Sequence, residues 1–360
     1  MKRNNMDLLD FFKYLAALVI VFFHYQHDTG LQFSELNFWS EPEIIPFYRA
    51  VEFFFIVSGF LTAYTDHVTP EENTILTQFG VLKRKLLRIY PMAAIACTAS
   101  LLAELLAISQ GVTEKTVSWV LDPQRLIESY LLVFSGWPKL MLTGINKPAW
   151  YLCVLIQCYL GYAFVTSFAD RFKIRRIILL TLSFIGSFIV QRYIPILQGM
   201  PARGYYSFLW GCVLASAIPF LEQKLSQKGA IAVSVGGICF SVLAIAVDIP
   251  HYPLTKTLTM VFILFPMMLL LAYASREIDD PWMRYLGRIS FCVFLFHNSV
   301  ILCWRSFCSA IGKPEWVLTL WGMMLVGGLT TVLSMVLYGY VEVPIGKAIR
   351  NREKKRQSAR

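Results

Sequence analysis

Charged residues are scarce in this chain of 360 residues. Asp, Glu, Lys and Arg make up 16% of it, whereas about a quarter of a soluble domain is charged. Hydrophobic residues make up 56%, and the mean hydropathy is +0.56. No polar stretch between the apolar segments is long enough for a soluble domain. This composition excludes a soluble protein and predicts a chain whose main solvent is lipid.

Motifs for metals, disulfides and repeats are also missing. The eight cysteines form no C-x-x-C pair and no Cys/His metal spacing, so neither a disulfide framework nor a metal site is indicated. We expect the cysteines to be small apolar packing residues. Internal repeats are absent as well, which counts against a transporter built from repeated halves.

Apolar segments of the length that crosses a bilayer, roughly 17–25 residues, recur along the whole chain. They predict an all-α polytopic membrane protein with about ten transmembrane helices. The segment 125–135 is too short to span, and we interpret it as re-entrant or interfacial. The predicted helices lie near 10–27, 46–65, 89–109, 149–168, 177–194, 204–221, 230–248, 257–274, 289–307 and 317–341.

Basic residues predict the orientation. With the N-terminus inside, Lys and Arg favour the cytoplasmic side by roughly two to one, and an even helix count returns the C-terminus to the same side. We therefore expect one transmembrane domain, 1–345, a basic cytoplasmic tail, 346–360, and a multi-pass location in the inner (cytoplasmic) membrane. The net charge of +10 fits anionic lipid headgroups better than nucleic acid.

The first predicted helix carries two titratable residues on one face. Lys13 and His24 are eleven positions apart, so their side chains lie about 20° apart around a helix and roughly 16 Å apart in depth. Glu52, early in the second helix, reaches the depth of His24 if the two helices are neighbours. A carboxylate beside an imidazole suits general-base catalysis. Alternatively, Lys13 snorkels inward and His24 reaches the outer interface.

Two further cations share a helical face. Lys85 and Arg88 are three positions apart at the cytoplasmic start of the third predicted helix. Cations at this spacing suit a polyphosphate, because Arg binds phosphate bidentately and Lys binds it as a point charge. A basic run beside a membrane also serves as a topology signal.

Taken together, these segments resemble acyltransferase family 3, the membrane O-acyltransferases that modify the bacterial envelope and exopolysaccharides. Five motifs in the expected order carry the resemblance over nearly the whole chain. They are Lys13 and His24 separated by ten residues, Glu52 before FFFIVSGF at 53–60, KLLRIYP with Lys85 and Arg88, AWYLCVLIQCYL at 149–160, and GRISFCVFLFH at 287–297.

The resemblance implies an enzyme that takes an acyl group, usually acetyl, from cytoplasmic acyl-CoA and places it on a carbohydrate hydroxyl, without a metal. It implies that His24 is the general base, or carries the acyl group, and that Glu52 orients it. The implied CoA-phosphate ligands are Lys13, Lys85 and Arg88. Further substrate or structural candidates are Ser58, Trp150 and His297.

The chain departs from the family pattern at three positions. Lys13 and Lys85 stand where Arg is common, which keeps the charge but loses the planar guanidinium. Leu155 stands where many relatives that modify peptidoglycan or O-antigen have Glu. The acceptor is therefore expected among exopolysaccharide, capsule or small sugars.

A proton-coupled sugar or glycan transporter, or a flippase, is the alternative from another class of protein. Intramembrane His, Glu and Lys would suit such a protein, although repeats and paired broken helices are missing. Consumption of acetyl-CoA with release of free thiol would distinguish the enzyme from the transporter.

The topology can be tested with reporter fusions. Because Lys and Arg are enriched on the predicted inner side, reporters placed in the segment 66–88 and after Arg360 should be active only if they work in the cytoplasm. A reporter that works only outside the cytoplasm and is active after Arg360 would contradict the even helix count.

Overall fold

The computed structural model of the protein describes residues 6–33, 37–39, 45–66, 68–137, 143–193, 199–246 and 253–358. All regular secondary structure in these ranges is helical. A helix satisfies its backbone hydrogen bonds within one segment, which lipid requires because it offers no partners. The all-α polytopic fold predicted from the sequence is confirmed.

The α-helices of the described ranges are numbered in chain order. They are α1 (Asp7–Thr29), α2 (Ala50–Tyr64), α3 (Ile75–Ser109), α4 (Val117–Val120), α5 (Pro123–Leu131), α6 (Trp150–Arg171), α7 (Arg176–Tyr193), α8 (Met200–Lys224), α9 (Gln227–Ala246), α10 (Pro253–Thr259), α11 (Phe265–Ala274), α12 (Pro281–Ala310), α13 (Leu320–Leu337) and α14 (Val343–Ser358). Two π-helical turns, Met260–Leu264 and Tyr338–Glu342, join α10 to α11 and α13 to α14.

Within the described ranges, nine helices are long and apolar enough to cross a membrane, and α7 contains a shorter apolar helix. Each of the ten predicted segments coincides with one of these helices or with helices joined by a π turn. The segment predicted to be too short to span forms α5, a helix of nine residues.

The start of one helix differs from the sequence prediction. Helix α3 begins at Ile75 rather than near residue 89, because its basic residues end the apolar run but are good helix formers. Thr74 caps it by accepting a hydrogen bond from the Thr77 amide at 3.2 Å. The division predicted between residues 345 and 346 falls inside α14, so the basic tail continues the last helix without a break.

Helices α2 and α8 pack in parallel, with backbone against backbone. A Cβ atom added to Gly59 would lie 1.9 Å from the Phe208 carbonyl oxygen, and one added to Gly211 would lie 2.0 Å from the Ile56 carbonyl oxygen. Small residues at a helix crossing permit such an approach in membranes. This contact explains the glycine of the SGF run, because only glycine fits against α8 at that position.

A buried ion cluster joins the α2–α3 connection to the α6–α7 connection. The Arg176 guanidinium donates to the Asp170 carboxylate at 2.6 Å and to the Asp66 carboxylate at 3.3 Å. It also donates to the Val68 carbonyl at 3.0 Å. Asn73 donates to Asp170 from the start of α3 at 2.5 Å. The cluster satisfies charges that would otherwise be costly at the edge of the bundle.

Gly59→Ala should destabilise the protein by about 3 kcal/mol, because the new methyl group would overlap the backbone of α8. Gly80→Ala is the matched control, since a Cβ at Gly80 meets no atom within 4 Å. Thermal unfolding of both variants in the same detergent provides the measurement. Equal unfolding midpoints for the two variants would refute the close α2–α8 contact.

Candidate active site

The two candidate histidines lie side by side on parallel helices. Helix α1 contacts α12 closely near its start, where a Cβ on Gly287 would lie 2.2 Å from the Asp10 Cβ. Further along both helices, the His24 and His297 rings stack with centroids 5.1 Å apart and an interplanar angle of 29°. The neighbouring Phe23 ring lies edge-on to His24 at 5.2 Å. Packing of α1 on α12 therefore brings the motif of Lys13 and His24 against the motif at 287–297.

The tautomer of His297 follows from its hydrogen bond. Its Nδ1 lies 2.7 Å from the Phe294 carbonyl oxygen, and a carbonyl only accepts, so Nδ1 carries the hydrogen. In the neutral ring, Nε2 then holds a lone pair. This atom is buried and has no hydrogen-bond partner among the described residues. His297 is fully buried, whereas His24 is half-buried.

His24 lines a cavity of about 550 Å³, a size typical of small-molecule sites. The starts of α2, α6 and α8 close around the second half of α1 to form it. The polar lining groups that bear on chemistry are His24, His27, Asp28, Lys147 and Arg203, and the largest aromatic rings are Trp39, Tyr48 and Trp150.

Glu52 makes different contacts from those predicted. Both of its carboxylate oxygens accept hydrogen bonds from Arg203, each at 2.8 Å, and Oε1 also accepts one from Arg49 at 2.7 Å. The Tyr206 hydroxyl lies 3.4 Å from Oε1. A direct bond between Glu52 and His24 is not found among the described residues. Close packing of α2 on α8 brings the guanidinium of Arg203 to the carboxylate, and His297 takes the place beside His24.

Glu52 is connected to the His24 cavity through Arg203. The Arg203 guanidinium lies 4.9 Å from the centroid of the Tyr48 ring and 5.6 Å from that of the Trp150 ring. All three side chains line the cavity. Cations over aromatic faces are attracted by the ring quadrupole, so the fully buried carboxylate holds one wall of the cavity in position.

Ser58 lies away from this cavity, in a hydrogen-bonded contact between α2 and α6. Its hydroxyl is 2.9 Å from the Tyr151 hydroxyl, which lies 3.4 Å from the Phe54 carbonyl. One helical turn further along α2, the Thr62 hydroxyl donates to the Ser58 carbonyl at 2.6 Å. These hydrogen-bonded groups continue along α2 from Ser58 to Thr62, in the direction of Lys85.

Lys85 and Arg88 line a second cavity, of about 660 Å³. The Lys85 ammonium donates to the Thr62 hydroxyl at 2.9 Å and lies 4.2 Å from the centroid of the Tyr159 ring. Lys13 is not among the residues that line this cavity. Its ammonium lies 2.5 Å from the Asp10 carboxylate, one turn earlier on the same helix. The structure therefore joins two of the three predicted phosphate ligands.

Several residues of the two cavities were not predicted from the sequence. The position of Arg203, directly before the apolar segment 204–221, is a feature of the sequence that could have drawn attention to it. A cation at a helix end is usually an interfacial anchor, however. Arg288 and Arg350 line the cavity of Lys85 and Arg88, and nothing local distinguishes them from other juxtamembrane cations. Within the described ranges, no group of three His, Cys, Asp or Glu side chains is placed to hold a metal ion.

The fold and its two cavities define a multi-pass α-helical membrane protein. The model of acyltransferase family 3, described as an acyltransferase domain, matches residues 7–339, nearly the whole chain. The chain belongs to this family and is a membrane acyltransferase, so the resemblance inferred from the five motifs is confirmed. No curated protein and no solved structure matches it significantly.

Glu52→Gln should destabilise the protein by about 3 kcal/mol, because a neutral amide leaves Arg49 and Arg203 partly buried without a counter-charge. Glu315→Gln is the control, since Glu315 is exposed and its partner Lys313 lies 3.8 Å away. Chemical denaturation in detergent measures both. If Glu52 instead acted on His24 directly, Glu52→Gln would lower activity at unchanged stability.

Proposed function

We propose that this protein is an acyl-CoA-dependent O-acyltransferase of the cytoplasmic membrane. It moves an acyl group, acetyl in the first instance, to a hydroxyl of an envelope or extracellular carbohydrate. The observation that carries the proposal is the half-buried imidazole of His24 in an aromatic cavity, stacked at 5.1 Å on a second imidazole. A separate cationic cavity is lined by Arg288 near the start of α12, the helix that also carries the second imidazole.

The donor binds at the cationic cavity. Arg88 and the ammonium of Lys85 contact the phosphates of CoA, with charge-assisted hydrogen bonds that suit phosphate oxygens. Helix α12 connects the two cavities, because Arg288 lines the cationic one and His297 stacks on His24. These two residues are nine positions apart, about 14 Å along the helix axis. The thioester arm extends over this depth towards His24, and Lys13 contributes positive charge nearby.

His24 acts as the general base. It takes the proton from the acceptor hydroxyl while the hydroxyl oxygen attacks the thioester carbonyl carbon. The carbon–sulfur bond then breaks, the acyl group remains on the carbohydrate oxygen, and the CoA thiolate receives the proton from His24. Stacking on the buried His297 holds the His24 ring in one orientation.

The acceptor binds in the cavity of His24. Aromatic rings from Trp39, Tyr48 and Trp150 offer flat apolar faces, and a few polar groups between them fix orientation, which is the usual composition of a small-molecule site. Glu52 serves as a positioning residue, because it holds Arg203 against two of these rings. Ser58 supports the neighbouring α2–α6 contact, so its role is structural.

The proposal is tested with purified protein in nanodiscs, acetyl-CoA and a panel of envelope and capsular glycans. Free thiol should appear only when donor and acceptor are both present, and the glycan should gain the mass of one acetyl group. Movement of glycan across the membrane without release of thiol would overturn the proposal in favour of a transporter.

His24→Ala and His24→Gln should each lower kcat by a factor of about 10² or more, since neither replacement accepts a proton at neutral pH. Binding of CoA and the unfolding midpoint should stay near those of the unaltered protein, because His24 lies outside the cationic cavity. A His24→Gln protein that modifies its glycan at the original rate would remove His24 from the mechanism.

A further inference from the structure

The cavity that contains Lys85 and Arg88 has walls from three distant parts of the chain. Helix α3 forms one wall, the first half of α12 forms a second, and the π turn with the start of α14 forms the third. Its positively charged lining residues are Arg84, Lys85, Arg88, Arg288 and Arg350. The segment predicted to be a lipid-facing tail thus contributes to the same cavity as the predicted phosphate ligands.

The cavity is lined by more positive than negative charge, whereas several other arginines of the bundle are paired. Arg176, Arg203 and Arg284 each form ion pairs with carboxylates. The arginines of the cavity form no ion pair within the residues whose side chains the structure describes. The single acidic lining residue is Glu342, and its Oε2 lies 3.5 Å from the Cys292 sulfur of α12. A concave site with five cations and one carboxylate is suited to a polyanion.

Gly346 leaves unfilled space beside the wall that α14 forms. It lines the cavity, and a Cβ added to it would meet no atom within 4 Å. Packing therefore does not require glycine there, and a larger side chain could enter the cavity without displacing the fold.

We propose that Arg288 and Arg350 bind the phosphate groups of the nucleotide half of the acyl donor, so that α12 and α14 complete the CoA site begun by Lys85 and Arg88. This inference rests on the proposed function. CoA carries a diphosphate and a 3′-phosphate, more charge than two cations balance. Arg288 also starts the stretch of α12 that ends at His297, so one helix holds the nucleotide and orients the base.

The phosphate chemistry is shared by anionic lipid headgroups, which also collect at basic surfaces beside a membrane. The two sources differ in one respect that can be measured. A nucleotide site matters for acetyl-CoA and not for acetyl-pantetheine, which has the reactive thioester but no nucleotide. A lipid site affects both donors equally and depends on the lipid composition.

The experiment compares KM for the two donors in zwitterionic nanodiscs of phosphatidylcholine. Arg288→Gln and Arg350→Gln should each raise KM for acetyl-CoA roughly ten-fold through loss of a charge-assisted phosphate contact. KM for acetyl-pantetheine should not change. Gly346→Leu should raise KM for acetyl-CoA by filling the cavity. Its matched control is Gly328→Leu on α13, where a Cβ also meets no atom within 4 Å.

Three results would overturn the inference. One is an unchanged KM for acetyl-CoA in both arginine variants, and another is an equal rise for both donors. The third is an effect of the variants that appears only in nanodiscs with phosphatidylglycerol, which would assign the cavity to lipid.

A binding experiment separates this inference from the proposed function if the unaltered protein transfers no acyl group. The affinities of CoA and of 3′-dephospho-CoA are then measured for the unaltered protein and for Arg350→Gln. CoA binding weakened by the substitution would still support this site.

Discussion

The parallel contact of α2 with α8 determines where the other parts of the candidate site can lie. Two glycines, Gly59 and Gly211, allow the helix backbones to touch. At this separation the start of α8 brings the Arg203 guanidinium to both carboxylate oxygens of Glu52 at 2.8 Å. Arg203 in turn faces two aromatic rings of the His24 cavity. A wider spacing would remove Arg203 from the buried carboxylate and leave Arg49 as its one cationic partner among the described side chains, which would be costly in a membrane protein.

Buried carboxylates are paired with cations in several parts of the bundle. Buried carboxylates such as Asp7 and Glu52 lie beside an Arg from a distant part of the chain, and Glu104 lies beside Lys115 in the loop after α3. These pairs hold helices or loops together and offset the cost of desolvation. The arginines around Lys85 lack such partners among the described side chains. The excess positive charge of this cavity suits the negatively charged ligand proposed for it.

Helices α1 and α12 pack against each other and contribute residues to the two cavities. They run parallel, contact closely near Asp10 and Gly287, and bring His24 onto His297 further along. The cationic cavity lies at the start of α12, and the aromatic cavity surrounds the second half of α1. The proposed donor, with a polar nucleotide and a long, narrow thioester arm, suits this arrangement, since the proposal places the nucleotide in the cationic cavity and the reactive group at His24.

The sequence alone determined the all-α polytopic fold, the approximate positions of ten apolar helices and the acyltransferase family, because hydropathy over a segment and short motifs are local properties of the chain. It also predicted His24, Lys85 and Arg88 as site residues, and the structure places them in the linings of two cavities. It predicted Glu52 beside His24, whereas the structure places the carboxylate against Arg203, and it could not show that Arg288 and Arg350 share a cavity with Lys85. Only the tertiary structure decided these contacts, since the Glu52–Arg203 pair and the histidine stack depend on which helix faces touch and how closely. Glycines at the α2–α8 and α1–α12 crossings allow the helices to come this close. The residues that they bring together are far apart in the chain, so local patterns do not reveal the contacts.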